Sequence, residues 1–251
     1  MEWNSSQYLL FENQRTQPAV DLARRVEKYQ PKTIIDIGCG PGNSTNVLRQ
    51  TFPNANIVGI DGSCNMIKQA KSEYPNLNFH LCRVEDLSGT YDLLFSNACL
   101  QWVPNHQELI PTLMGKLNEH GVLAVQVPMN AKEPLYRIIT ETIKQPQWGF
   151  QDTVFEVNQV LTSNEYFNIL SKCSSSFEIW ETKYYHSLPN HQALVEWVKG
   201  TKLRPYLAKL NRQDGMAFER EIVKKTKHVY PVMDNGKIVL GFRRLFFIAV
   251  K

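Results

Sequence analysis

With 251 residues, 43% of them hydrophobic and 21% charged, the chain has the composition of a globular protein holding one sizeable α/β domain, or one domain with an elaborate insertion. A net charge of +4 suits an anionic small molecule and lacks the dense basic stripe of a nucleic-acid binder. The five cysteines (Cys39, Cys64, Cys82, Cys99, Cys173) are scattered without a Cys-x-x-Cys spacing, which argues against a disulfide framework or a zinc site, and no apolar run reaches the roughly 20 residues of a membrane span.

The first residues, MEWNSSQY, have neither the basic lead nor the apolar core of a signal peptide, so a cytoplasmic protein is expected. Strand candidates follow at 33–37, 56–60, 77–81, 91–96 and 121–127, with helix-like stretches between most of them. One helix is expected to open at Asn105, where NHQE places a side-chain acceptor three residues ahead of Glu108 as in a capping box. Leu109, Leu113 and Leu117 then recur at spacing four as one buried stripe. Strand–helix alternation predicts a parallel sheet covered by helices on both faces, with ligands bound beyond the carboxyl ends of the strands.

The last third reads differently. Residues 177–189 form a strand candidate, 190–200 a short helix between an Asn190 cap and a Gly200 stop, and 213–229 a further helix. After the turn signal DNG (234–236), KIVLGFRRLFFIAV returns as a long strand or hairpin. The stretch between, about fifty mostly helical residues, reads as an insertion perched on the sheet edge.

The chemistry concentrates in IIDIGCGPGNS (34–44). Gly38, Gly40 and Gly42 follow Asp36 as D-x-G-x-G-x-G, a turn whose bare backbone opens to a ligand or serves only the fold. A dinucleotide loop would carry glycine where Asn43 stands, and Pro41 stiffens the turn. Asp61, ending the second strand, is placed either to accept the two hydroxyls of a ribose or to cap the next helix. Met66 either lies on a purine face or packs in the core. Glu85 and Asp86 are candidates to accept from an adenine amine, either together or with one of the two facing solvent. No P-loop lysine–serine pair exists, which excludes triphosphate hydrolysis of that kind. Tyr206 and Lys209 have the wrong spacing for a hydride-transfer Tyr-x-x-x-Lys pair, so an NAD-dependent oxidoreductase is disfavoured, as is a cofactor-binding module without catalysis.

These residues resemble the class I S-adenosylmethionine-dependent methyltransferases, DIGCGPGNST matching the first motif and Asp61 the ribose-binding acid. WNSSQYLLFENQRTQPAVDL (3–22), SNACLQWVPNHQEL (96–109), YYHSLPNHQALVEWV (184–198), LRPYL (203–207) and GKIVLGFRRLFFIA (236–249) are similar to the family that methylates trans-aconitate. The resemblance implies an α/β, Rossmann-like seven-stranded sheet with its last strand antiparallel and a helical insertion before that strand. It divides the chain into a helical lid over 1–30, a cofactor-binding core over 31–185, a helical substrate cap over 186–237 and a final strand over 238–251. It implies S-adenosyl-L-methionine as cofactor, held by Asp36, Gly38, Gly40, Gly42, Asp61, Met66 and Glu85, with Asn97 and Ala98 on the floor and Tyr8 and Arg15 near the methionine end. Arg83 stands where such enzymes usually carry an adenine-contacting acid, and Gln17 where relatives tend to carry an arginine that would hold an anion. The residues after the fourth strand lack the Asn/Asp-Pro-Pro-aromatic cluster of nucleic-acid amine methyltransferases.

A carboxylate acceptor is already ionised at neutral pH, so the chemistry demands positioning and no general base. The expected partner is a small-molecule carboxylic acid, without nucleic acid or membrane. Burying its charges requires cations and directed donors. The candidates are Gln101, Trp102, His186, Arg204 and Arg244, with only one of Arg243 and Arg244 able to face inward. Of Tyr184 and Tyr185, one at most looks into the site. Trp197 is expected to pack within the inserted helices and Cys99 to be a small buried thiol. An acyl-carrier acceptor is the near rival, with the lysines of 224–227 as its docking face.

Overall fold

The computed structural model of the chain describes residues 12–150 and 160–251, with side chains in the first helix from Thr16 onward. Seven strands among these residues form one sheet: β1 (Thr33–Ile37), β2 (Asn56–Asp61), β3 (Asn78–Leu81), β4 (Tyr91–Asn97), β5 (Leu117–Pro128), β6 (Ser176–Leu188) and β7 (Ile238–Val250). Their order is β3-β2-β1-β4-β5-β7-β6. Neighbours pair in parallel except where β7 lies antiparallel to β5 and β6, which is the expected arrangement. The chain order reverses at β1, between β2 and β4, and a crevice opens there by necessity.

The strands are apolar on both faces because both are covered. Gly121 through Val127 of β5 is buried without a break. Ile34, Phe95, Ala124, Phe246 and Ile248 point to one side, against α1 (Glu12–Val26) and α2 (Asn43–Thr51). Ile35, Leu94, Val125, Leu245 and Phe247 point to the other, against α4 (His106–Gly115) and α6 (Ser163–Cys173). The short α3 (Cys64–Glu73) covers the β3 end through Ile67 and Ala70.

The segment between β6 and β7 folds as α7 (His191–Lys199), α8 (Arg204–Leu207) and α9 (Arg212–Thr226). Asn190 caps α7 by accepting from the Ala193 amide, and Gly200 follows its last turn, as the sequence predicts. These helices share a second apolar core with α5 (Pro134–Ile143) and the outer ends of β6 and β7, through Ile139, Trp197, Phe218, Leu188 and Phe242. KIVLGFRRLFFIAV is a single strand and not a hairpin, because all thirteen of its strand residues, Ile238–Val250, find partners on β6.

Two expectations around Asn105 need correction. Asn105 does precede α4, but its backbone is left-handed (φ 56°) and its side chain makes no cap hydrogen bond. The anchor is His106, which is buried and donates from Nε2 to the Leu100 carbonyl (2.7 Å). Its Nδ1 is thereby left to accept the hydroxyl of fully buried Tyr166 on α6 (2.6 Å). The helix stops at Gly115, so Leu117 opens β5 and does not extend the helical stripe. The true capping box is Thr162 with Glu165, at the start of α6.

Tyr166→Phe strips the buried His106 Nδ1 of its donor. Urea denaturation is expected to show a loss of about 1–3 kcal/mol, while cofactor affinity stays unchanged because neither residue reaches the crevice.

Candidate functional site

The crevice at the switch point is a cleft of ≈ 410 Å³ running from the carboxyl ends of β1, β2 and β4 to the helices above β7. Its near wall is the glycine turn. The Gly38 and Cys39 amides both donate to the Ile60 carbonyl (2.8 and 2.9 Å), and the Gly40 amide donates to Asp61 Oδ2 (3.0 Å). The turn is thus stitched to the end of β2. Gly38 (φ 69°) holds a left-handed backbone, and a Cβ there would lie 2.1 Å from Cys99 Sγ, so only glycine fits.

Asp61 accepts the Ser63 amide on Oδ1 (2.8 Å), so it shapes the entry to α3 while lining the cleft. Burial raises its pKa, partly offset by those two amides. The helix itself is capped by Ser63, which accepts from the Met66 amide, so Asp61 is not the cap that the sequence suggests but holds the residue that is. Met66 is buried and lines the same wall. Glu85 faces the cleft and Asp86 does not. Arg83 lines the cleft beside Glu85 and pairs with it (Nη2 to Oε1, 3.2 Å), so the acid at this end comes with its own cation.

On the floor stand Asn97 and Ala98, the latter left-handed (φ 54°) with its amide on the Gln126 carbonyl (3.0 Å). The Ala98 carbonyl accepts from Gln101 Nε2 (2.7 Å). Among the described residues, the buried Asn97 Oδ1 and Gln101 Oε1 have no hydrogen-bond partner. Arg244 enters from β7, 5% exposed, with Nη1 donating to Gln126 Oε1 (3.1 Å) and its guanidinium 4.5 Å from the Phe242 ring centroid. Arg243 points the other way, to an ion pair with Glu181, as strand alternation requires. Trp102 and Arg204 line the cleft, and Trp197, reaching down from α7, lines it too.

Several expected site residues stand elsewhere. Asp36 lies beneath the turn, fully buried, with Oδ2 accepting the Ser44 and Thr45 hydroxyls (2.6 Å each). It fastens the start of α2 to β1 and does not line the cleft. Burial pushes its pKa up to about 6. Gly42 packs against Tyr74 and Phe79, where a Cβ would lie 2.7 Å from the Tyr74 ring. His186 sits behind the wall, its ring stacked 4.6 Å from that of Trp197. Burial, reinforced by the nearby Arg244 charge, lowers its pKa to about 4. Gln17 turns outward to Asp21 (2.8 Å), which also accepts the Tyr184 hydroxyl (2.6 Å), so neither residue reaches the ligand space. Tyr185 is exposed. Tyr8 and the Arg15 side chain lie outside the described residues.

Sequence reasoning missed Thr16 and Ala19 of α1, Tyr136 of α5, and Thr201 and Lys202 between α7 and α8, all of which line the cleft. Lys202 carried a faint signal, a lysine directly after a helix stop in the inserted segment. The two ends of the cleft differ in charge. Among the described residues its lining acids are Asp61 and Glu85, on the glycine-turn side with Arg83 paired to Glu85, whereas Lys202, Arg204 and Arg244 come from the inserted helices and β7. Cys39 and Cys99 both line the cleft, Cys39 buried and Cys99 only half-buried where the sequence suggests a buried thiol, and desolvation of their sulfurs drives both pKa values above the ordinary value, which disfavours the thiolate.

A family model described as a methyltransferase domain matches residues 30–209. Trans-aconitate 2-methyltransferase of Escherichia coli O139:H28 (strain E24377A / ETEC) is 40% identical over 250 residues, covering 99% of this chain and 98% of that one. The enzyme of the same name from strain K12 / DH10B is 39% identical over the same shares. Among solved structures, the YcgJ protein of Bacillus subtilis matches with a TM-score of 0.58 at 12% identity, covering 92% of this chain and 98% of that one. The plantazolicin methyltransferase BpumL in complex with SAH matches with a TM-score of 0.53 at 15% identity, covering 98% and 90%. At these identities the two structures share the fold.

The position of His186 has a measurable consequence. As pH falls from about 6.5 towards 4, the unfolded chain takes up a proton on this histidine that the folded chain refuses, so folded stability drops across that window. Asp36 acts in the opposite sense, its folded carboxyl keeping a proton up to about pH 6. Comparing His186→Gln with the parent cancels the Asp36 contribution. Thermal melts are expected to shift in favour of the variant as pH is lowered from 7 to about 4.5.

Proposed function

The chain belongs to the methyltransferase-domain family, and from that premise we propose that it transfers the methyl group of S-adenosylmethionine to a carboxylate oxygen of trans-aconitate or a closely related small polycarboxylic acid. The observation that carries the acceptor class is the grouping of Lys202, Arg204 and Arg244 at one end of the cleft, with no acid among its described lining there. Three carboxylates in a half-buried site need that neutralisation.

The glycine-turn end fits the cofactor. Gly38 lets the turn pack against Cys99, Gly40 leaves open space in the cleft, Asp61 keeps acceptor capacity beside two backbone donors, and Asn97 Oδ1 is a buried acceptor awaiting a donor. Gly38, Gly40, Asp61, Met66, Glu85, Asn97 and Ala98 would hold S-adenosylmethionine, which when bound supplies an electrophilic methyl on a good leaving group. Tyr8 and Arg15 remain proposed contacts at its methionine end. Asp36 and Gly42 support the turn from behind.

The rest of the reaction is placement. The acceptor is an anion at neutral pH, so no side chain need remove a proton, and the protonated thiols offer no competing base. Arg244 grips a carboxylate with its planar fork, and Gln126 and Phe242 fix the direction of that fork. Gln101 and Trp102 close the floor side, while Trp197, Tyr136 and Phe242 exclude water. Aligned reactants held in this way supply up to about 7–11 kcal/mol of the barrier reduction. His186 stands outside the cleft and bears on its lining through ring contacts with Trp197 and Phe242.

An acyl-carrier acceptor finds less support. Of the lysines at 224–227, Lys225 turns inward to the Thr142 hydroxyl (3.0 Å) and to Glu221 (3.6 Å), which thins the cationic face a carrier would dock on. A cytoplasmic location belongs to the same reading and is supported by five free cysteines, which suit a reducing compartment. Among the described residues no helix is long and apolar enough to cross a membrane.

Release of S-adenosylhomocysteine, with product mass showing one added methyl, is expected on trans-aconitate well above citrate, cis-aconitate and isocitrate. Cofactor binding without turnover on any of these acids would overturn the acceptor assignment. Arg244→Gln is expected to lower kcat/KM for the acid by about 100-fold or more, with cofactor affinity little changed. Asp61→Ala is expected to do the reverse, weakening the cofactor first.

A further inference from the structure

Lys202 is the least expected part of the acceptor end. It lies half-buried in the short loop between α7 and α8, and it lines the cleft. The backbone on either side is fastened. The Thr201 and Leu203 amides both donate to the Val198 carbonyl (3.1 and 3.0 Å), and the Leu203 side chain is fully buried in the cap core. The lysine is therefore presented by an ordered loop.

Its electrostatic situation differs from that of Lys199 and Lys28. Lys199, three residues earlier, pairs with Glu219 (2.9 Å) and Glu196 (3.5 Å), and Lys28 pairs with Glu178 (3.3 Å). Lys202 has no hydrogen-bond or ion-pair partner among the described residues, and burial lowers its pKa with nothing to offset it. A cation desolvated without a counter-charge is a standing cost, recovered when an anion enters. Arg204 and Arg244 line the same space, and a guanidinium is a planar fork that suits one carboxylate, whereas an ammonium group is a point charge that accepts an anion from many directions.

Resting on the acceptor reading given above, we propose that Lys202 is a specificity-determining residue that neutralises one carboxylate which is not methylated, and thereby makes the site prefer a tricarboxylate to a dicarboxylate. It contributes to holding the acid and leaves the reacting atoms to others.

Three dicarboxylates, each lacking a different carboxylate of trans-aconitate, give the test: mesaconate, itaconate and cis-glutaconate. Kinetics on trans-aconitate, and competition by each dicarboxylate, are measured for the parent, Lys202→Met and Lys202→Arg. Cofactor affinity serves as the control for folding. Lys202→Met is expected to raise KM for trans-aconitate by about 10- to 100-fold while kcat stays within about twofold, and Lys202→Arg to restore most of the loss. One dicarboxylate, the one lacking the partner carboxylate, is expected to bind the parent and Lys202→Met equally. An unchanged KM, or the same loss of affinity for all three dicarboxylates, would overturn the proposal while leaving the acceptor reading intact. Absence of turnover by the parent would instead sink the acceptor reading, and this inference with it.

Discussion

Everything at this site depends on how closely the turn after β1 approaches the strand ends beside it. Two consecutive amides converge on the Ile60 carbonyl, and a third reaches Asp61. The backbone at Gly38 passes so near Cys99 that a single methyl group would occupy the sulfur's place. That closeness is possible only without a side chain. It aligns the ends of β1, β2 and β4 at one level, so that groups from three strands meet over one cleft. Asp36 completes the arrangement from below, drawing the first turn of α2 inward through two hydroxyls.

The opposite end is built on another principle. There β7 belongs to two cores at once: Phe246 and Ile248 pack under α1, while Ile238, Leu240 and Phe242 pack under the inserted helices. Arg244 lies at the border between them, where the sheet core ends and the cap begins. Its charge is tolerable at 5% exposure because Gln126 accepts from it and Phe242 lies against its face. The cleft thus has one end made of a close-packed backbone turn and another made of long side chains on packed helices.

Much of this was legible in the sequence, for identifiable reasons. Asp61 could be placed because strand ends line such a crevice, and Arg244 could be separated from Arg243 once alternation allowed only one to face inward. Lys202, Tyr136 and Thr16 were not legible, since they reach the cleft from elements whose position follows from tertiary packing and from no local period. His186 looked like a ligand because its neighbours in sequence resembled a site, yet the stacking of its ring on Trp197 puts it one layer back. Gly42 and Asp36 belong to the recognisable motif and serve it from behind. Asn105 shows the remaining failure, a good local capping signal overruled when the next residue, His106, found stronger partners inside.

The two thiols beside the turn bear on the chemical safety of the protein itself. A cleft that binds an alkylating sulfonium exposes its own walls to methylation, and a thiolate there would be the best nucleophile within reach. Cys39 and Cys99 escape that fate because desolvation of their sulfurs holds them as neutral thiols, helped by the negative charge of Asp36 and Asp61. The carboxylates that shape the turn therefore also protect the enzyme from its own reagent.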